Sequence, residues 1–296
     1  MNVILKAALW MTGAIASFSS MAVAGRELSG HYDTFEIMLY RSLVGFIIVF
    51  ALTTVNRRWH EVHTRNIRQH LLRNICHFTG QNLWFYAVAV MPLAQVFALE
   101  FTSPLWVVIL APLVLGERLT RVRALAAAMG FIGILIVTRP NPQTFQIGLL
   151  FAATAAIFFA MTILLTKRLT RDNTITAILF YLTAIQLVFG LVTAGYDGDI
   201  ALPTAASFPF LFLVGCAGLL AHFCLTNALS IAPATIVVPF DFARLPVIAV
   251  VAMLLYGEPL EIWVFVGALV IFGANYLNIW NETRKPLLPE NIAGLP

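Results

Sequence analysis

The sequence predicts an all-α integral membrane protein, with ten transmembrane helices arranged as two inverted five-helix repeats. Three observations predict it. Uncharged runs long enough to cross a bilayer recur along the whole chain. The basic residues collect on one side of the spans so defined. The two halves echo each other at a fixed offset. Of 296 residues, 60% are hydrophobic and 11% are charged, whereas a soluble domain carries about 25% charged residues. Runs without Asp, Glu, Lys or Arg occupy 7–25, 42–56, 74–99, 140–166, 173–196, 200–240 and 262–281. A spanning helix needs about 20 predominantly apolar residues. The alternating segments of about ten residues that build a membrane β-barrel do not occur.

Turn residues and charges divide these runs into ten spans, at roughly 3–24, 34–55, 69–90, 93–115, 120–138, 145–166, 174–194, 208–228, 234–256 and 260–280. The first follows Lys6 and ends on "AVA" at 22–24, which is the outline of a cleavable signal peptide. Its apolar run exceeds the roughly 7–15 residues of a signal core, so it is read as the first span. The second leads into the longest polar loop, 56–68. The run 200–240 is too long for one helix and is split by "SIAPAT" at 230–235. Connections are short, which leaves no room for an attached soluble domain. Cys76, Cys216 and Cys224 all fall within spans. An odd count at membrane depth, without a CxxC spacing, is neither a disulfide framework nor a metal site.

With the N-terminus placed in the cytoplasm, fourteen Lys and Arg fall on the inner side: Lys6, Arg57, Arg58, Arg65, Arg68, Arg73, Arg118, Arg121, Arg123, Lys167, Arg168, Arg171, Arg284 and Lys285. Arg26 and Arg139 fall outside, and Arg41 and Arg244 lie inside spans. This asymmetry follows the positive-inside rule and puts both termini in the cytoplasm of a multi-pass inner (plasma) membrane protein. The net charge of +4 is therefore a topology signal; no nucleic-acid footprint is visible.

A shift of 141 residues lays "MPLAQVFALEFTSPLWVVILAPLVLGERL" (91–119) over "APATIVVPFDFARLPVIAVVAMLLYGEPL" (232–260). Pro92 meets Pro233, Glu100 meets Asp241, Phe101 meets Phe242, and Gly116-Glu117 meets Gly257-Glu258. The offset covers five spans. An odd number turns the second copy upside down in the membrane, an organisation that secondary transporters use to build a site between two pseudo-symmetric halves. The expected division is 1–140 for the first repeat, 141–285 for the second and 286–296 for a cytoplasmic tail.

The stretch "PLWVVILAPLVLGERLTRVRALAAAMGFIGILIV" (104–137) and its echo "PVIAVVAMLLYGEPLEIWVFVGALVIFGANYL" (246–277) resemble the EamA-type members of the drug/metabolite transporter superfamily, over nearly the whole chain. The resemblance implies a ten-helix inner-membrane carrier of small metabolites, often an exporter, with the YddG-like amino-acid exporters as the suggested match. Leu245 stands where the first copy has Pro104, with Pro246 one residue later, so the two central helices need not bend alike.

Ionisable residues inside spans are costly and mark functional sites by default. Glu100 is seven residues into the fourth span, about 10 Å deep at 1.5 Å per residue. Asp241 is about as deep from the opposite face. Pro104 cannot donate to the carbonyl of residue 100, so that oxygen is expected to lack its helical partner. Pro239 and Pro246 do the same to the carbonyls of Thr235 and Phe242. Two ion pairs are expected: Arg41 with Glu100 at similar depth, and Asp241 with Arg244 three residues on, sharing a helix face. These four, with His77, Gln81 and His222 at middle depth and Trp84, Tyr86 and Trp106 as aromatic walls, are the expected substrate-binding or gating residues. Gln81 and His222 align at the 141 offset. Gln95, Asn82 and Asn227 add further polarity. "ALAAAMGFIG" (124–133), Gly267 and Gly273 are read as helix-packing positions.

No Walker A, GxSxG or HExxH pattern is present, and nothing calls for a cofactor or a metal. The reading is a secondary transporter working by alternating access. Arginine to grip a carboxylate, a carboxylate to receive an ammonium, and apolar walls together suit amino acids, including neutral and aromatic ones. Protons are a possible second passenger on Glu100 or Asp241, since burial raises a carboxyl pKa. The alternatives are a membrane-embedded enzyme or lipid-handling protein, and a channel-like facilitator.

Overall fold

The computed structural model describes residues 3–115, 121–139, 147–196, 198–233, 237, 240–241 and 244–283. Their regular structure is helical: α1 (Val3–Leu28), α2 (Thr34–Val55), α3 (Ile67–Val90), α4 (Leu93–Glu100), α5 (Ser103–Leu115), α6 (Arg121–Thr138), α7 (Ile147–Leu169), α8 (Ile175–Ala194), α9 (Phe208–Ile231), α10 (Arg244–Tyr256) and α11 (Ile262–Thr283), with 3-10 turns at Trp59–Glu61 and 240–241. Among the described residues, six segments are long and apolar enough to cross a membrane: α1, α2, α7, α8, α9 and Leu93–Val114, which joins α4 to α5. Val247–Tyr256 and Ile262–Ala274 are shorter apolar stretches. Leu113, Val192, Leu254 and Leu269 are each at least 67% exposed. Water would not tolerate so many bare aliphatic side chains, and a lipid environment would.

Local chemistry sets several helix ends. Asp33 and Glu36 form a reciprocal capping box at the start of α2: the Glu36 N–H donates to Asp33 Oδ1 (2.8 Å) and the Asp33 N–H to Glu36 Oε2 (2.9 Å). The other Glu36 oxygen accepts from the Ala201 N–H at 2.6 Å, fastening α2 to the segment before α9. The Lys167 ammonium donates to the carbonyls of Leu229 and Ala232 at the C-terminal end of α9, where a helix leaves acceptors over. Arg26, near the end of α1, reaches the Met91 carbonyl and Glu258 Oε1, while Glu258 Oε2 accepts from the Leu93 N–H that opens α4. One carboxylate thus ties three chain segments at one end of the bundle.

The main helix pairings are α1 with α9, α3 with α7, α2 with α8 and α6 with α11, while α4 meets α10 and α5 lies on α7. Met38, Trp84, Phe85 and Phe97 are almost fully buried in the central cluster. Small residues set the closest approach of α6 and α11. A Cβ on Gly133 would lie 2.9 Å from the Gly267 carbonyl oxygen and 2.6 Å from Ile271 Cγ1. Gly273, expected in the same role, has nothing within 4 Å of its would-be Cβ, so close packing does not explain it. Arg73, counted above among the inner-side cations, is 2% exposed inside α3. It lies six residues past the helix start, about 9 Å along the axis.

Candidate functional site

The fourth apolar segment is not one continuous helix. Regular helix stops at Glu100, turns through Phe101 and Thr102, and resumes at Ser103. Pro104 removes the donor that would have carried the helix through. The Glu100 carbonyl is not left open as the sequence suggested, because the Ser103 hydroxyl donates to it at 2.5 Å. On the other side of the bundle Phe240 and Asp241 form a short 3-10 turn, and regular helix begins at Arg244. Both acidic residues therefore sit at helix breaks. Backbone irregularity of this kind is tolerated at membrane depth where it lines a cavity or is buried in protein.

The two breaks meet. Arg244, 1% exposed, donates through Nη2 to Glu100 Oε1 at 2.6 Å and to Asp241 Oδ2 at 2.5 Å. One nitrogen spends both hydrogens, one on each carboxylate. The second Glu100 oxygen accepts from the indole Nε1–H of Trp84 at 2.7 Å. The guanidinium is boxed by the rings of Phe18, Phe97 and Phe101, with centroids 4.9, 4.8 and 5.4 Å from its central carbon. These faces attract a cation and exclude water. With both carboxylates ionised the cluster carries one surplus negative charge. Arg244 Nε and Asp241 Oδ1 are buried without a hydrogen-bond partner among the described residues.

The cluster forms one wall of a central cavity. His77, Gln81, His222, Phe159, Thr162, Met11 and Met21 complete much of the lining. About 70 Å³ of it is open to the centres of water-sized spheres, and one water needs about 10–15 Å³ by that measure. The cavity therefore has room for several waters or a small group of a solute. The rings of His77 and His222 meet edge to face at 4.5 Å. Both His77 ring nitrogens, His222 Nε2 and Gln81 Oε1 have no hydrogen-bond partner among the described residues. Buried polar atoms are normally paired, and here several open ones lie beside one cavity.

Of the expected site residues, the structure brings together Glu100, Asp241, Arg244, His77, Gln81, His222, Trp84 and the break at Pro104. Three others are placed elsewhere. Arg41 does not pair with Glu100; it lines a separate small pocket between α2, α8 and α9, because Arg244 already occupies the carboxylate. The Tyr86 ring packs on Phe151 at 4.7 Å and that of Trp106 on Phe131 at 5.9 Å. Both turn away from the cavity into helix packing. Pro239 lies outside the described residues, and only the backbone of Pro246, within α10, is described. Asn82 and Asn227 each donate to the carbonyl four residues back on their own helix. Phe18, Phe159 and Thr162 were not singled out from the sequence, since nothing sets one apolar or hydroxyl residue of a span apart from its neighbours.

A family model for EamA-like transporters matches the chain twice, over residues 5–139 and 146–280. The chain belongs to the EamA-like transporter family. It is a multi-pass membrane transporter of small metabolites rather than an enzyme. The S-adenosylmethionine uptake transporter of Rickettsia bellii (strain RML369-C) is 26% identical over 275 residues, covering 93% of this chain and 94% of the relative. The riboflavin transporter of Rhizobium johnstonii is 31% identical over 287 residues, covering 95% and 93%. A solved crystal structure sharing 16% identity superposes with a TM-score of 0.70 over 94% of this EamA-like transporter and 98% of that chain, a likeness of fold.

Proposed function

We propose that this EamA-like transporter is a secondary carrier of amino-acid-derived metabolites bearing a cationic group, taken up at the Glu100–Asp241–Arg244 cluster. The single observation that carries the reading is the charge count of that cluster: two carboxylates on one arginine nitrogen. The surplus negative charge, in a cavity walled by aromatic and apolar side chains, favours an ammonium or sulfonium. Free amino acids and S-adenosylmethionine-like solutes both carry one. An uncharged riboflavin-like ring system would leave the surplus charge unanswered. Protons compete for the same carboxylates, so exchange of a proton for the solute is part of the reading.

The proposed architecture is ten spans in two inverted halves (1–140 and 141–285), with both termini cytoplasmic and the bilayer that of the inner membrane. Helix pairing supports the inversion. Moving five spans along exchanges the pair α1–α9 with the pair α7–α3 and returns α2–α8 and α6–α11 to themselves, as a two-fold axis in the membrane plane requires. Rocking of the halves about the cluster would open it to each side in turn. Net direction, export included, follows the solute and proton gradients.

The test is counterflow in proteoliposomes with labelled phenylalanine, S-adenosylmethionine and riboflavin. Saturable exchange of one or both amino-acid-derived solutes is expected. Exchange of riboflavin alone would overturn the charge argument, and exchange of none would overturn the proposed solute class.

A further inference from the structure

Arg41 and Arg73 pose a separate electrostatic problem. They are 5% and 2% exposed, and among the described residues no carboxylate pairs with either. The Arg73 guanidinium is held by neutral acceptors only, Thr166 Oγ1 and Asn74 Oδ1, both at 3.2 Å. Asn74 in turn receives the Gln186 amide, at 3.0 Å on Oδ1 and 2.9 Å on its carbonyl. Gln186, Arg41 and Ser42 line one small pocket. Arg41 Nε and Ser42 Oγ, and the acceptor Gln186 Oε1, are buried there with no partner among the described residues. Arg41 lies edge-on against α9, where Gly218 leaves it room: a Cβ at that position would be 2.5 Å from Nε. The two cations are near enough to repel each other and to act on both His77 and His222.

Buried ions are ordinarily paired, and one left without a counter-charge is strongly unfavourable. The central carboxylates are taken up by Arg244 and Trp84, and among the described residues neither pairs with these two arginines. The helices nevertheless hold the Arg41 charge, its open Nε donor and the Ser42 hydroxyl around one pocket, with Arg73 behind it through the Asn74–Gln186 hydrogen bonds. Space for water-sized centres there is about 10 Å³, close to the room one water needs. It suits the oxygen of an acid group better than a bulky body.

We propose that Arg41 and Ser42, with Arg73 behind them along the Gln186–Asn74 hydrogen bonds, form a second subsite that takes a carboxylate of the transported solute, beyond the histidine pair from the subsite for its cationic group. The assignment of that carboxylate to the solute rests on the proposed function above; the anion site itself does not. A solute carrying a cation at one end and a carboxylate at the other would then satisfy both charge imbalances at once. Arginine serves here because its fork can give two hydrogen bonds to one carboxylate.

Full-length protein purified in detergent is titrated with sodium formate, with sodium chloride as the comparison at equal ionic strength, and the unfolding temperature is read. Formate should raise it saturably. Arg41→Gln and Arg73→Gln should each weaken that response at least ten-fold, and without formate they should melt no lower than the wild type, since an unpaired buried charge has gone. Gly218→Ala, which displaces the guanidinium and keeps the charge, should weaken it as well. An unchanged response in the arginine variants would overturn the site. An equal response to chloride would overturn its assignment to a carboxylate. In proteoliposomes, S-adenosylmethionine should be exchanged at least ten-fold better than its decarboxylated form; equal exchange would detach the site from the solute. Loss of all counterflow with the formate response intact would instead defeat the proposed function and leave the anion site standing.

Discussion

Neutralising Glu100 and neutralising Arg244 should have opposite consequences, although the two side chains touch. In Glu100→Gln the amide oxygen can keep the Trp84 indole hydrogen bond, and the backbone carbonyl keeps Ser103. Arg244 retains Asp241 at 2.5 Å, so the buried cation stays paired and the cluster becomes neutral. The lost charge-assisted hydrogen bond costs roughly 1.5–3 kcal/mol, offset in part by relief of repulsion between the carboxylates. Net stability should fall by no more than about 2 kcal/mol on that scale. Binding suffers more. A cationic group about 4 Å from Glu100, at an effective dielectric constant of about 20, interacts with it by about 4 kcal/mol. That corresponds to roughly 10³-fold in affinity. Arg244→Gln leaves two facing carboxylates without a cation, and breaking a buried pair costs about 3–5 kcal/mol. The arginine variant should therefore be the unstable one. The assay pairs unfolding temperature in detergent with the concentration dependence of S-adenosylmethionine and phenylalanine counterflow. Wild-type affinity in a well-folded Glu100→Gln protein would refute the charge argument. A Glu100→Gln protein less stable than Arg244→Gln would refute the account of the cluster.

Trp84→Phe keeps the ring and removes the donor to Glu100 Oε2; with about 1.5–3 kcal/mol at stake, half-saturating solute concentration in the same assay should rise roughly ten- to a hundred-fold. An inside-acidic gradient should accelerate uptake by wild-type proteoliposomes and leave Glu100→Gln indifferent; equal wild-type rates with and without the gradient would exclude proton exchange. Gly133→Ala drives a methyl against the Gly267 carbonyl and Ile271 backbone of α11, so thermal unfolding should report a loss of about 1–3 kcal/mol, while Gly273→Ala, with open space around it, should be neutral. Tags at residue 62 and at the C-terminus should report cytoplasm and one at residue 198 the outside; a periplasmic C-terminus would remove the inverted halves.

The sequence by itself determined the solvent and the helical class. Long uncharged runs can satisfy their backbone in a bilayer only as helix or closed barrel, and the alternation of a barrel is absent. It also placed Asp241 against Arg244, because three residues of helical spacing bring side chains together whatever surrounds them. It could mark Glu100 and Pro104 as costly at that depth without showing what they face. Partner choice was decided in three dimensions. Glu100 and Arg244 are 144 residues apart in sequence, and Arg41, at similar depth to Glu100, proved the wrong partner. Depth follows from counting along a helix. The direction a side chain takes around the axis relative to other helices depends on packing, such as the close approach of α6 to α11 at Gly133. The same rotation turned Tyr86 and Trp106 away from the cavity. It also carried Arg73, which reads along the chain as one more inner-side cation, into the interior beside Asn74 and Gln186.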